Sequence, residues 1–365
     1  MAGEDATSSQ LAEPALEPLR SGDLDEQRLH AIATRVRNFT WNTSMLSQWS
    51  WGEGVYLLAE IRYCERSGIQ IPEKLLRWYQ DHHEITLGHI NNVAPGAGAV
   101  RLHHSGLIDA KRLDRTLQNW ISEGKGISYS SNGALEHWEG SVWADTCYML
   151  GSYYLNKAVA DGDRNLLDFV GRQLVAHIEL LQNPKNKLFA HGSLQGMTLW
   201  NYWGRGNAWM ALSCVEFLDA CEELAVTHSE FPRILDALTN QLNSLINFLP
   251  DYGIWDVLVD RQIENRGILE TSASAGLGAA LIRAARHQRD NEDKWREVGR
   301  SVVSAALTYV DDAGVLTRTS AGTVLQLIPF GYSVIRSDRP QLWGQGLALN
   351  AITALLYPLA NHLKL

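Results

Sequence analysis

The sequence predicts an all-α protein folded as an (α/α)6 barrel, a closed ring of six helical hairpins. Three observations point there. The tetrapeptide W-G-x-G occurs three times, as WGEG from Trp51, WGRG from Trp203 and WGQG from Trp343, and each opens a run of small and apolar residues. Three further runs of the same character begin near Asn92, Asp145 and Glu270. Between the six lie longer segments whose apolar residues recur at helical spacing against a charged remainder. Helices that are apolar on most faces belong inside a fold, and amphipathic ones cover a core from outside.

In chain order, residues 1–23 read as a tail, because they are rich in Ala, Glu, Ser and Pro and lack apolar periodicity. Residues 24–365 read as one barrel domain. The outer helices are expected at 24–38, 72–83, 109–124, 163–181, 230–248 and 291–309. The inner ones are expected to start near 51, 92, 145, 203, 270 and 343. Short Gly/Asn-flanked stretches near 126–138 and 252–258 read as hairpins in loops. Nothing alternates strands with Gly-rich phosphate turns, which argues against a parallel α/β fold. An open helical solenoid is the alternative that the same alternation allows.

Charge and composition narrow the function. With 32 Lys+Arg against 41 Asp+Glu, the net charge is −9, which excludes nucleic-acid binding through bulk positive charge. No apolar run is long enough to span a bilayer, so no membrane partner is expected. Trp (13) and Tyr (12) outnumber Phe (7). Flat rings with a polar handle suit a stackable polar ligand such as a sugar, or else a Trp-rich core. Cys64, Cys147, Cys214 and Cys221 form no CxxC pair and no zinc spacing, and each lies in an apolar stretch. Buried free thiols and a cytoplasmic location follow. No metal motif is present and no cofactor is implied.

In a ring of this kind the inner helices start at one end, so the chemistry is expected at their N-termini. Asp145 stands out there. It lies in EHWEGSVWADTCYM, beside Trp138, Trp143 and Tyr148. Apolar surroundings are expected to raise its pKa and suit it to general acid/base work, whereas a helix cap is its structural alternative. Arg205 and Trp209 are four apart in WGRGNAW, hence on one helix face. A guanidinium fork beside an indole suits a carboxylate on a sugar ring; a structural Arg–Glu pair is the other reading. His191, in a Gly-rich loop, and His137, eight residues before Asp145, either bond substrate hydroxyls or are structural. Glu53 and Glu270 read as caps, or as a second site carboxylate beside Asp145, the pair that an inverting glycosidase needs.

These motifs resemble glycoside hydrolase family 105, the unsaturated rhamnogalacturonyl hydrolases, which are related to the unsaturated glucuronyl hydrolases of family 88. WGRGNAW preceded by an HG loop, SVWADTCYM, ETSASA and WGQG carry the resemblance from about residue 40 to 357. It implies an (α/α)6 barrel that releases a 4,5-unsaturated uronic acid from the non-reducing end of lyase-generated, rhamnogalacturonan-type oligosaccharides. The implied route is hydration of the C4=C5 double bond. Asp145 takes the catalytic position. Trp51, Asn92, His137, His191, Trp203, Arg205 and Trp209 fall on substrate-contacting positions. One departure is plain: where family 88 has a second Asp near the second inner helix, this chain reads HINNVAP, with Asn91 and Asn92. Another (α/α)6 sugar enzyme (an unsaturated glucuronyl hydrolase, an inverting glycosidase or an epimerase) and a non-catalytic helical-repeat scaffold are the competing readings.

Overall fold

The apolar and amphipathic segments form helices that alternate along the chain, outer then inner, six times. The structure is a computed structural model that describes residues 24–124 and 126–358. The expected tail, 1–23, lies outside the described residues. The outer helices are α1 (Glu26–Asn42), α3 (Glu73–Asp81), α5 (Lys111–Ser122), α7 (Arg164–Leu181), α9 (Phe231–Phe248) and α11 (Glu292–Leu307). The inner helices are α2 (Trp51–Ser67), α4 (Gly96–His104), α6 (Ala144–Asp161), α8 (Gly204–Glu223), α10 (Thr271–Ala284) and α13 (Leu342–Leu356). A single turn, α12 (Phe330–Ser333), sits in the long connection before α13.

Each inner helix packs on the next, and α13 packs back on α2. The ring is therefore closed, an (α/α)6 barrel rather than an open solenoid. The W-G-x-G glycines explain how it closes. A Cβ at Gly346 would lie 2.9 Å from the Tyr56 Cα, and one at Gly54 would lie 2.5 Å from the Pro95 nitrogen. Only glycine lets these backbones approach so closely. Trp51 and Trp343, the first residues of two such motifs, stack across the same seam with centroids 4.4 Å apart.

Local signals set the helix ends. Asp25 and Asp163 accept backbone N–H bonds at the starts of α1 and α7. Gly68 and Gly162 turn left-handed to end α2 and α6. The second inner helix starts at Gly96 rather than near Asn92, because a 3-10 turn, Ile90–Val93, and then Pro95 precede it.

Strand structure differs from expectation. Residues 126–138 and 252–258 contain only isolated bridges, such as Tyr129 with Leu135 and Asp256 with Leu269. The hairpin lies instead at β1 (Gly192–Leu194) and β2 (Met197–Leu199), joined by Gln195 and Gly196, both with positive φ. At the far end of the inner helices a charge network ties three of them together. Arg62 of α2 forks onto Glu216 of α8 at 2.7 and 2.6 Å. Arg283 of α10 bridges Glu216 and Asp219, at 2.8 Å each. Cations near helix C-termini also complement the dipoles there. All four cysteines are buried and unpaired. Among the described residues no helix is long and apolar enough to cross a membrane.

Candidate active site

The inner-helix starts do gather their polar residues at one end of the ring. Asp145 is the second residue of α6; Trp143 holds the cap position, so the carboxylate is not the helix cap. It is 8% exposed. His191, from the loop before β1, places Nε2 3.5 Å from Asp145 Oδ2. Neither atom has a hydrogen-bond partner among the described residues. Buried polar atoms left unpaired are uncommon, and a ligand is one way to satisfy them.

Aromatic rings build the walls. His137 lies flat on Trp143, centroids 3.9 Å apart and planes within 6°. Its Nδ1 meets Thr146 Oγ1 at 3.0 Å. His89 crosses His137 edge-on and holds the His137 carbonyl at 2.8 Å. Trp138, 55% exposed, lies against His89. Behind His191 stand Trp203, at 4.4 Å between centroids, and Tyr332, whose hydroxyl is 2.7 Å from Nδ1.

The electrostatics correct one expectation. Burial does push the Asp145 carboxyl up, but His191, then His137 and Arg205, outweigh it and hold the group below its ordinary value. The sequence neighbours Trp143 and Tyr148 do not decide the matter, and Tyr148 stacks on Trp209 instead. His137 is held neutral, its imidazole pushed down to about 3 by burial. Glu53, 3% exposed in the first turn of α2, goes the other way, and burial lifts it to about 7.

Arg205 also departs from expectation. Its guanidinium stacks on Trp203, 4.3 Å from the centroid, and faces Trp343, not Trp209. The side chain is fully buried, paired with Glu270 at 3.3 Å. It donates to the Ser320 and Ala321 carbonyls at 3.0 and 2.9 Å. Its Nε–H has no partner among the described residues. Trp209 is sealed in the core against Tyr148 and offers a sugar no face. Trp203 is 1% exposed and forms a supporting layer. Trp51 is half-buried at the mouth. Asn92 is partly buried, and its carbonyl accepts the Trp49 indole N–H at 2.7 Å. Asn91 is the more buried of the two, with its Oδ1 unpartnered. Glu270 holds the cap position of α10, but its side chain bonds no N–H of that helix; its carboxylate takes Ser272, Ser320 and Arg205 instead.

Tyr332, Ser320 and His89 are the residues that sequence reasoning missed. Tyr332 and Ser320 lie in the long, aperiodic connection between α11 and α13, where no spacing marks a side chain as inward-facing. His89 carried a signal, its place just before the second inner helix.

A closed ring of helical hairpins with a carboxylate and imidazoles among aromatic rings at one end is an arrangement that suits a sugar-cleaving enzyme. The chain belongs to that class through a specific family: it matches the model for Glycosyl Hydrolase Family 88 over residues 27–357. It is 28% identical over 344 residues to the unsaturated rhamnogalacturonyl hydrolase YesR of Bacillus subtilis, covering 91% of this chain and 96% of that one. Solved structures share the fold, and two illustrate it. One is a possible GH105 member from Salmonella enterica, with a TM-score of 0.82 at 20% identity, covering 98% of this chain and 99% of the other. The other, a family 88 protein from Bacteroides vulgatus, has a TM-score of 0.69 at 14% identity and covers 91% and 99%.

Proposed function

We propose that this glycoside hydrolase releases a 4,5-unsaturated uronic acid from the non-reducing end of lyase-generated, rhamnogalacturonan-type oligosaccharides. The observation that carries the reading is the buried, unsatisfied Asp145–His191 pair in an aromatic-walled mouth. The relationship to YesR supports the substrate class. Asn91 and Asn92, in place of a second carboxylate, favour it over the glucuronyl-directed chemistry of family 88.

In this reading Asp145 gives its proton to C4 of the double bond and takes back the proton that water loses as its oxygen bonds to C5. The resulting hemiketal opens and frees the sugar. The depressed carboxyl of the free site fits this sequence, because the substrate brings its own carboxylate. A like charge arriving in a water-poor pocket raises the Asp145 pKa, so the proton is loaded on binding. A reducing cytoplasm suits four buried, unpaired thiols. The test is a panel of lyase-generated disaccharides followed by loss of the ultraviolet absorbance of the conjugated uronate. Unsaturated galacturonyl-rhamnose should be consumed fastest. Faster loss of a disaccharide that carries the same unsaturated uronyl ring on an aglycone other than rhamnose, or loss of none, would overturn the reading.

A further inference from the structure

We propose that Tyr332 is a positioning residue that fixes His191 in its Nε2–H tautomer and so holds an N–H against the Asp145 carboxylate. The inference rests on Asp145 being the reacting carboxyl and adds a residue from outside the motif-bearing segments.

The argument follows the protons. The Tyr332 hydroxyl is fully buried and has two hydrogen-bond partners among the described residues. The backbone N–H of Gln326, 3.4 Å away, can only donate to it. His191 Nδ1, 2.7 Å away, is the other. Burial pushes the phenol well above its ordinary value, so the oxygen keeps its hydrogen. With one lone pair turned to Gln326, that hydrogen has one acceptor to reach, which is Nδ1. A neutral imidazole that accepts at Nδ1 carries its own proton on Nε2. Nε2 is the atom that faces Asp145 Oδ2 at 3.5 Å. In the opposite tautomer Nδ1–H and Gln326 N–H would both donate to the phenol, and its hydrogen would be left without an acceptor in a dry interior.

The hydroxyl is held in place from both sides. Gln326 accepts the Asn201 amide through its carbonyl at 2.8 Å. Ser333, the next residue, donates to the Glu264 carbonyl at 3.2 Å. Asn201 in turn accepts the backbone N–H of His191 through its own backbone carbonyl, 2.9 Å away. The phenol and the imidazole it meets are thus anchored to the same short stretch of chain. An N–H facing a carboxylate favours the ionised form, so the tautomer decides how readily Asp145 loads and gives up its proton.

Two measurements test this. Ring-nitrogen chemical shifts of His191 in the substrate-free protein, assigned by comparison with His191→Gln, should show Nε2 protonated and Nδ1 bare. A protonated Nδ1 in the neutral ring overturns the proposal. This measurement needs no substrate, so it stands or falls apart from the assignment of the reaction. The second is Tyr332→Phe, which removes only the hydroxyl. The expected result is a mixture of His191 tautomers and a shift of the Asp145 limb of the kcat/KM pH profile to higher pH, by roughly half a unit or more. Loss of activity with the His191 tautomer and the pH profile unmoved would make Tyr332 mere packing and overturn the proposal, as would a variant indistinguishable from the parent.

Discussion

Arg205 and Glu270, at the starts of adjacent inner helices, pair at 3.3 Å with both side chains sealed from solvent. The pair lies directly behind Trp203 and Trp343, so it holds the rear wall of the mouth. Removing one partner leaves a buried charge uncompensated, which costs about 3–5 kcal/mol. Glu270→Gln should therefore lower unfolding stability in chemical denaturation by about that much. A variant as stable as the parent would mean that Ser320 and Ala321 alone satisfy the guanidinium.

Glu53 should make stability fall as pH rises. Burial keeps its carboxyl protonated in the folded state up to about 7, against an ordinary value of 4.5. Between these values the unfolded chain has lost the proton and the folded one has not. The contribution is full below the unfolded value and is lost as pH climbs through 7, roughly 3–4 kcal/mol in all. Glu53→Gln should flatten that slope and be the more stable protein at pH 8. Melting curves from pH 5 to 8 that run parallel for the two proteins would refute this.

The ring was legible because its cause is local. A W-G-x-G start and an apolar run mark an inner helix wherever they occur, and the closure at Gly54 and Gly346 uses the same residues. The mouth was legible for the same reason, since Asp145 and Arg205 sit in the first turns of such helices. What surrounds them was not. An i,i+4 spacing places Arg205 and Trp209 on one helix but does not say which neighbour fills the gap, and here Trp203 and Trp343 do. The Asp145 pKa turned on His191, distant in sequence, rather than on Trp143 beside it. Tyr332 and Ser320 arrive from a connection with no periodicity to read.

Trp138 offers the one broadly exposed indole beside His89 and His137 among the described residues. A ring there can stack on a sugar beyond the cleaved bond without touching the reacting carbons. Trp138→Ala should raise KM for a trisaccharide about 2–10-fold, the equivalent of one aromatic contact. With kcat unchanged, the loss is one of uniform binding. A fall in kcat at constant KM would place the indole in the chemistry instead.

Asp145→Asn is the decisive substitution for the reaction itself. The amide keeps the size of the side chain and can still meet His191, so the fold should survive, as an unchanged melting curve would show. It cannot deliver a carboxyl proton to C4 or take one from water at C5. Loss of a general acid/base typically costs ~10²–10⁴ in rate. The His191 contact adds a second expectation. In the parent, the carboxyl is held low by His191, His137 and Arg205, and a substrate carboxylate has to lift it, so activity should fall as pH rises through the loaded pKa. The Asn variant has no such group, and whatever residual rate it keeps should be flat across that range. A variant that consumed the conjugated double bond at near the parent rate, with the parent pH profile, would remove Asp145 from the chemistry. Glu53, protonated up to about 7 in the first turn of α2, would then be the carboxyl to examine, because Glu270 is already committed to Arg205.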